Sequence, residues 1–208
     1  MKFVGIADTH SRHRSIILPK GDVLIHAGDI SFRGEKLEVE DFLSWFAKQD
    51  FEFKIFIAGN HDFLFEKIKT KELERLLPDG VIYLNDSGID IRGIHIWGSP
   101  ITPKFFNWAF NRARGEAIKK HWKLIPADTD ILITHGPPYG ILDQVANESH
   151  VGCVDLLQTV KVIKPKVHFF GHIHESFGIR NTVDTKFINA CQMNEIYQLV
   201  NKPVVFEL

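Results

Sequence analysis

The sequence predicts an α/β protein in which two β-sheets pack against each other and helices cover their outer faces. In the first half of the 208-residue chain, apolar β-branched runs alternate with helical patterns. In the second half, short apolar runs follow one another closely, as in hairpins. No repeat, low-complexity tract or linker interrupts the chain, so we expect a single domain over residues 1–208.

Five apolar runs each end in a short polar motif, and each run predicts a buried strand. The carboxyl ends of such strands form the sheet edge where α/β proteins bind ligands. We therefore expect the five motifs to meet at that edge. The runs, with their motifs, are KFVGIADTH (2–10), DVLIHAGD (22–29), FKIFIAGNHD (53–62), DILITHG (130–136) and KVHFFGHIH (166–174).

Further strands are predicted by runs that lack such motifs. They are VIYL (81–84), GIDIRGIHIWGS (88–99), FGIR (177–180), KFINA (186–190), EIYQLV (195–200) and PVVFEL (203–208). Together with the first five, they provide enough strands for two packed sheets of mixed direction.

Four segments have the apolar spacing of helices. Residues 38–48 place Val39, Phe42, Leu43 and Phe46 on one face. Residues 70–77 begin with Thr70 as the expected N-cap and stop before a proline. Residues 112–122 predict a basic amphipathic helix. The last segment, 152–163, is expected to turn Val154, Leu157 and Val160 inward.

Composition restricts the partners and the compartment. The net charge of −1 gives no sign of an obligate nucleic-acid or anionic-membrane partner, and no apolar run approaches the length of a membrane span. The chain starts with a strand instead of a signal peptide. Cys153 and Cys191 lack a C-x-x-C arrangement, so we expect buried, reduced thiols and a cytoplasmic protein. The oligomeric state is left open.

The polar motifs carry the nitrogen and oxygen donors that two first-row metal ions need. Such ions take mixed ligands, and a two-metal site requires one carboxylate that bridges both. Asp29 follows the second strand and is the natural bridge. In Asp8-Thr9-His10 and His172-Ile173-His174, the alternation along a strand end would turn both ligands to one face. The seven candidate metal ligands are Asp8, His10, Asp29, Asn60, His135, His172 and His174.

Each motif taken alone has a simpler explanation. Asp-x-His is often a polar pair in a turn, Gly-Asp is an ordinary turn, and Gly-Asn-His-Asp is compatible with an Asx-turn. The occurrence of all five motifs, in order and each after a strand, favours a metal centre.

These motifs, D-x-H, G-D, G-N-H-D, H and G-H-x-H, resemble those of the calcineurin-like metallophosphoesterases over essentially the whole chain. The resemblance implies a four-layer α/β/β/α sandwich and two divalent metal ions, with Mn²⁺ first and iron, zinc or magnesium as alternatives. It assigns one ion to Asp8, His10, Asp29 and His174, and the other to Asp29, Asn60, His135 and His172. It also implies that His61 contacts the phosphoryl group or protonates the leaving oxygen, oriented by a carboxylate such as Asp62.

Several longer stretches resemble the small metallophosphoesterase-domain proteins of bacteria and animal brain, a subgroup similar to cyclic-nucleotide phosphodiesterases. They are DTHSR (8–12), WGSPITPKFFNWAFN (97–111), THGPPYGILD (134–143), HVGCVDLL (150–157) and KPKVHFFGHIHE (164–175). The chain carries Asp62 where some relatives have Glu. Phe32 replaces the acidic residue of the GDxxDRG motif of protein phosphatases, so we do not transfer a phosphate-binding role to Arg33.

The resulting hypothesis is a phosphodiesterase that acts on nucleotides or cyclic nucleotides through a hydroxide that bridges the two ions. The aromatic and polar residues Trp108, Asn111, Arg112 and His150 are candidates for contacts with a base, a ribose or a phosphate. Two alternatives remain open: a nucleotide phosphomonoesterase that uses the same site, and a non-catalytic scaffold. The complete set of ligands argues against the scaffold, which has no physical need for it.

Overall fold

The computed structural model describes residues 1–208 and contains two large mixed β-sheets. The strands are β1 (Lys2–Ile6), β2 (Val23–Ala27), β3 (Phe53–Ile57), β4 (Val81–Tyr83), β5 (Ser87–Ile91), β6 (Ile94–Ser99), β7 (Thr102–Pro103), β8 (Asn111–Arg112), β9 (Ile131–Thr134), β10 (Val167–Phe170), β11 (Gly178–Asn181), β12 (Lys186–Asn189) and β13 (Val204–Glu207). The first large sheet has the strand order β13-β1-β2-β3-β4, and the second has the order β11-β12-β10-β9-β6-β5.

The central strands of both sheets are parallel. In the first sheet, β1 to β4 are parallel and only β13 is antiparallel. In the second sheet, β12, β10, β9 and β6 are parallel, and the antiparallel strands β11 and β5 form the edges. The motif-bearing strands β1, β2, β3, β9 and β10 are therefore all parallel members of their sheets.

Successive side chains of a strand point to opposite faces of the sheet, and this alternation separates the core between the two sheets from the core under the helices. On β1, Phe3 belongs to a core that also contains Ile131 and Phe169 of the second sheet, whereas Val4 belongs to the core under the helices. Gly5 leaves room for this packing, because a Cβ atom there would lie 2.1 Å from Cζ of Phe169. The two sheets thus pack face to face, and helices cover their outer faces, which confirms the predicted α/β/β/α sandwich.

The helices are α1 (Lys36–Ala47), α2 (Phe63–Lys67), α3 (Thr70–Leu76), α4 (Glu116–Trp122) and α5 (Val154–Ile163). The first helix matches its prediction, since Val39, Phe42, Leu43 and Phe46 are all buried. A capping box between Glu35 and Glu38 starts this helix. No helix of the structure is both long and apolar enough to cross a membrane.

Four local predictions were wrong. Thr70 is the first helical residue, and the preceding Lys69 occupies the N-cap position in extended conformation. The helix predicted for 112–122 begins only after Gly115, whose φ of 81° interrupts it, while Arg112 belongs to β8. In α5, Val154 is exposed, whereas Leu157 is half-buried against the core and Val160 is buried as predicted, together with Leu156.

The fourth error concerns EIYQLV (195–200), which forms no strand. A turn that starts at Asn194 occupies this position, because the Asn194 side-chain oxygen accepts hydrogen bonds from the N–H groups of Ile196 at 3.2 Å and Gln198 at 2.9 Å. Such side-chain bonding to the backbone competes with strand pairing.

Both cysteines are free and buried, as predicted. Burial raises the pKa of both thiols, most strongly that of Cys191. We expect a thiol reagent to label neither residue in the native protein and both after denaturation under non-reducing conditions. Titration of freshly purified protein checks this, and a disulfide would contradict it.

Candidate metal centre

The seven predicted ligands lie together at the carboxyl edges of the two sheets. Asp8, Asp29 and Asn60 follow β1, β2 and β3 of the first sheet, and His135 and His172 follow β9 and β10 of the second. Hydrogen bonds join the two sheets at this edge, because Ala7 N–H donates to Ala190 O, and Ala7 O accepts from Gln192 N–H, both at 3.0 Å. Ligands from opposite sheets therefore face each other.

Asp29 occupies the centre of the ligand set. Its Oδ2 atom lies 3.3 Å from Nε2 of His135 and 3.8 Å from Nε2 of His10. Potential ligand atoms of Asp29, His135 and His172 lie within 4.8 Å of one another, and so do those of Asp29, His10 and His61. Asp29 is the member common to both groups, which is the placement that a bridging carboxylate requires.

The donor atoms around His135 fit a cation. Its Nδ1–H faces the carbonyl oxygen of Ala27 at 2.9 Å, so in the neutral ring, the form that binds a metal, Nε2 carries the lone pair. That lone pair faces Oδ1 of Asn60 at 2.9 Å and the Asp29 carboxylate. Three acceptors thus converge on a point that only a proton or a metal ion can satisfy. Burial alone would lower the pKa of His135, but the charge of Asp29 outweighs it and raises this pKa to about 9.

A second group of donors surrounds His174. Its Nδ1 faces the carbonyl oxygen of Asn194 at 2.9 Å, so its Nε2 is free to bind an ion. This Nε2 lies 3.3 Å from Nε2 of His10 and 3.8 Å from Oδ1 of Asp8. Burial lowers the pKa of His10 and His172 to about 3, so both rings are neutral and can donate a lone pair.

The backbone explains how the ligands converge, and it differs from the expectation. Asp8, His10, Asp29 and His172 all have positive φ angles, between 39° and 70°. The strands have therefore ended before these residues, and left-handed turns aim the side chains instead of strand alternation. Such residues cluster at functional sites, where the surrounding structure holds them in place.

Close packing explains the glycine of G-H-x-H. A Cβ atom on Gly171 would lie 2.0 Å from Oδ2 of Asp8. The backbone beyond Gly171 approaches this carboxylate directly, because the N–H of His172 donates to both Asp8 oxygens at 3.0 and 2.9 Å. Any side chain at this position would displace a candidate ligand.

His61 lies beside the ligands with a fixed orientation. Its Nδ1 faces the carbonyl oxygen of Phe32 at 2.8 Å, and its ring stacks on Trp108 with a centroid distance of 4.3 Å. The expected orientation of His61 by Asp62 was wrong. The Asp62 carboxylate instead accepts hydrogen bonds from the N–H groups of Gly59, Ile30 and Ser31 and from the Ser31 hydroxyl.

Asp62 therefore acts on the loop that follows Asp29. Burial, followed by the negative charge of Asp29, raises the pKa of Asp62 to about 6, although its hydrogen bonds oppose this shift. By fixing residues 30–31 and Gly59, Asp62 connects the loops that carry the bridging carboxylate and the Asn60 amide.

A cleft of about 240 Å³ opens onto the ligands. Its lining residues are Asp29, Asn60, His61, Phe105, Trp108, His172, His174, Glu175, Glu195 and Tyr197. Of the predicted substrate contacts, only Trp108 is among them. Sequence reasoning missed Tyr197, because it lies in a segment that was assigned to a strand.

The other three predicted substrate contacts are engaged elsewhere. Asn111 accepts a hydrogen bond from the hydroxyl of Thr102 and donates to the carbonyl of Phe105. Arg112 pairs with Glu66 at 3.1 Å. His150 faces the buried carboxylate of Asp143 at 2.6 Å, outside the cleft lining.

The fold and this ligand set define a class of metal-dependent phosphoesterases. The sequence profile of the calcineurin-like phosphoesterases matches residues 1–176, and the chain belongs to this family. Its hydrolase class and its use of divalent metal ions follow from that membership and from the ligand groups described above.

Among individual relatives, the chain is 43% identical to the human metallophosphoesterase domain-containing protein 1, over 100% of this chain and 71% of that protein. A UPF0046 protein of Caenorhabditis elegans is 39% identical over 100% of this chain and 60% of its own length.

Solved structures show the same fold at low identity. The phosphopantetheinyl hydrolase of Mycobacterium tuberculosis superposes with a TM-score of 0.60 at 13% identity, covering 91% of this chain and 88% of that one. A Thermus thermophilus protein superposes with a TM-score of 0.59 at 12% identity, over 90% and 88% of the two chains.

Proposed function

We propose that the protein is a dinuclear metal-dependent phosphodiesterase whose substrates are nucleotide diesters, including cyclic nucleotides. Three groups of potential ligands meet at this site, and Asp29 belongs to two of them, which is the observation that supports two ions instead of one. The third group consists of Asp8, His174 and Cys191. One ion would be held by Asp8, His10, Asp29 and His174, and the other by Asp29, Asn60, His135 and His172. Mn²⁺ remains the first candidate for both positions, since carboxylate and amide oxygens suit it, and the imidazole donors keep iron and zinc as alternatives.

When bound, the ions would neutralise phosphate charge and lower the pKa of a water molecule, so that hydrolysis proceeds near neutral pH. Two of the imidazole donors are already deprotonated, since burial keeps His10 and His172 neutral. His135, whose pKa is about 9, would release a proton on binding an ion. The hydrogen bonds of His135 and His174 to backbone carbonyls aim their Nε2 atoms inward without further reorganisation.

His61 is proposed to stabilise or protonate the departing oxygen. Its Nδ1 is committed to the Phe32 carbonyl, so Nε2 is the ring nitrogen that remains for a substrate in the cleft. Stacking on Trp108 limits rotation of the ring and keeps that nitrogen in place.

A preference for diesters over monoesters is consistent with the charges of the cleft. A monoester dianion benefits from fixed cations in addition to the metals, but none of the lining residues is Lys or Arg. Parallel assays of cyclic nucleotides, nucleoside monophosphates and aryl diesters with added Mn²⁺ test the proposal. Faster cleavage of the monophosphates would favour the phosphomonoesterase alternative. Metal binding without turnover of any ester would favour the scaffold.

Trp108→Ala should raise KM for a cyclic nucleotide more than for a small aryl diester. The indole ring lines the cleft, where it is proposed to contact the base. Because Trp108 also stacks on His61, kcat should fall for both substrates. Steady-state kinetics on the two substrates check this. An equal change in KM for both would mean that Trp108 only positions His61.

A further inference from the structure

The cleft offers aromatic rings and carboxylates to a substrate, but no cationic side chain. Its aromatic lining residues are Phe105, Trp108 and Tyr197, and its exposed carboxylates are Glu175 and Glu195. A second phosphate group would find no Lys or Arg partner here and would face negative charge. A neutral planar group meets no such repulsion and can contact the rings that line the cleft.

Tyr197 lies in the turn that starts at Asn194, and hydrogen bonds define the backbone of this turn. Its N–H donates to the carbonyl oxygen of Asn194 at 2.9 Å, within the turn closed by the Asn194 side chain. Its φ angle is 58°, a left-handed value that a tyrosine adopts only when its surroundings impose it. The same Asn194 carbonyl accepts from Nδ1 of His174, so the turn is tied to a candidate metal ligand.

The ring of Tyr197 lies over the ligand side of the cleft. Its centroid is 5.0 Å from that of His10 and 5.2 Å from that of His174, both at steep interplanar angles. It also contacts Phe32 at 5.5 Å. Trp108 approaches from a different segment and stacks on His61, whose ring centroid is 6.4 Å from that of Tyr197. Tyr197 and Trp108 thus approach His61 from separate segments of the chain, and both line the cleft.

We propose that Tyr197 is a specificity-determining residue, which makes the site prefer phosphodiesters whose non-leaving group carries a planar aromatic ring over those whose non-leaving group is aliphatic. This inference rests on the proposed phosphodiesterase function. A flat group in the cleft gains stacking contacts with the Tyr197 ring that an alkyl group cannot match. The strained turn holds the tyrosine ring at the cleft before substrate arrives, so little ordering is needed on binding.

The experiment uses two monoanionic diesters with the same leaving group: thymidine 5′-(p-nitrophenyl phosphate) and methyl p-nitrophenyl phosphate. The ratio of their kcat/KM values is measured for the Mn²⁺-loaded wild type and for Tyr197→Leu, together with metal content. Stacking of one base contributes enough binding energy that we expect the ratio to fall about tenfold in this variant. Metal content should not change.

Two further variants make the test specific. Tyr197→Phe retains the ring and should keep the wild-type ratio. Phe106→Leu is the matched control, because Phe106 is also an aromatic residue with positive φ, at 50°, but it is exposed and outside the cleft lining. An equal loss of rate on both diesters in Tyr197→Leu, or a loss of metal, would overturn the inference, since the ring would then only support His10 and His174.

If the wild type cleaves neither diester, the proposed phosphodiesterase function is wrong, and the inference about Tyr197 is tested by binding instead. Selectivity is then read from binding of thymidine 5′-monophosphate and methyl phosphate to the Mn²⁺-loaded protein by calorimetry. If Tyr197→Leu weakens the binding of thymidine 5′-monophosphate more than that of methyl phosphate, the role of the ring is supported. Equal weakening of both affinities would overturn it.

Discussion

Asp29→Asn should abolish activity and reduce metal content from two ions per chain to one or none. The Asp29 carboxylate is buried, and its Oδ2 atom faces both His135 and His10. Burial alone would raise the pKa of Asp29, but the neighbouring His135 and His61 hold it well below its usual value, so the charge is present at neutral pH. The amide keeps the size of the side chain and removes this charge. Elemental analysis and diesterase assays measure the two effects.

The matched control for that variant is Asp143→Asn. Asp143 is also fully buried and accepts hydrogen bonds from the N–H groups of Gly140 and Gly152, but it belongs to neither ligand group that contains Asp29. It should lower stability without removing metal. Full occupancy by two ions in Asp29→Asn would show that the carboxylate is not the bridge.

His61→Ala should keep both ions and lower kcat about 10²–10⁴-fold, the typical contribution of a positioned acid or base. The physical reason is that the His61 ring is oriented by Phe32 and Trp108, whereas the predicted ligands do not require it. Measurement of kcat and of metal content in one preparation separates the two roles. His95→Ala, a change of an exposed histidine outside the cleft, is the control.

A ring nitrogen of His61 also lies within 4.8 Å of potential ligand atoms of His10 and Asp29, so the alternative is that His61 binds a metal ion. If metal is lost together with the rate, His61 is a ligand. If the rate is unchanged, it has no part in the reaction.

The sequence was sufficient to predict the two-sheet architecture and the grouping of the ligand residues. Both depend on patterns that repeat along the chain: apolar runs of strand length and polar residues directly after them. Strand β1 illustrates why such patterns predict the architecture. Neighbouring residues of a strand point to opposite faces, so Phe3 and Val4 must face different cores irrespective of the loop conformations. The family resemblance added the pairing of ligands with ions, which spacing alone leaves open.

Predictions failed where tertiary contacts choose between local alternatives. Asp62 was expected to orient the adjacent His61, but four donors from other residues compete for its carboxylate. EIYQLV has strand-like composition, yet the Asn194 side chain closes a turn over it. In α5, Leu156 and Val160 lie four residues apart on one face and are both buried, whereas Val154, at the start of the helix, is exposed. None of these choices is visible in single-sequence periodicity.

The left-handed turns at the ligands have a consequence for how the native state opens. Each non-glycine residue in this conformation costs about 1–2 kcal/mol of backbone energy, and Asp8, His10, Asp29 and His172 all adopt it. Local unfolding that releases these turns therefore recovers energy which opening of a regular strand does not. A mutation that weakens the core should first appear as faster amide hydrogen exchange and weaker ion retention at this edge, while the sheets remain intact. Loss of bound ions would then be measurable before the sheets unfold.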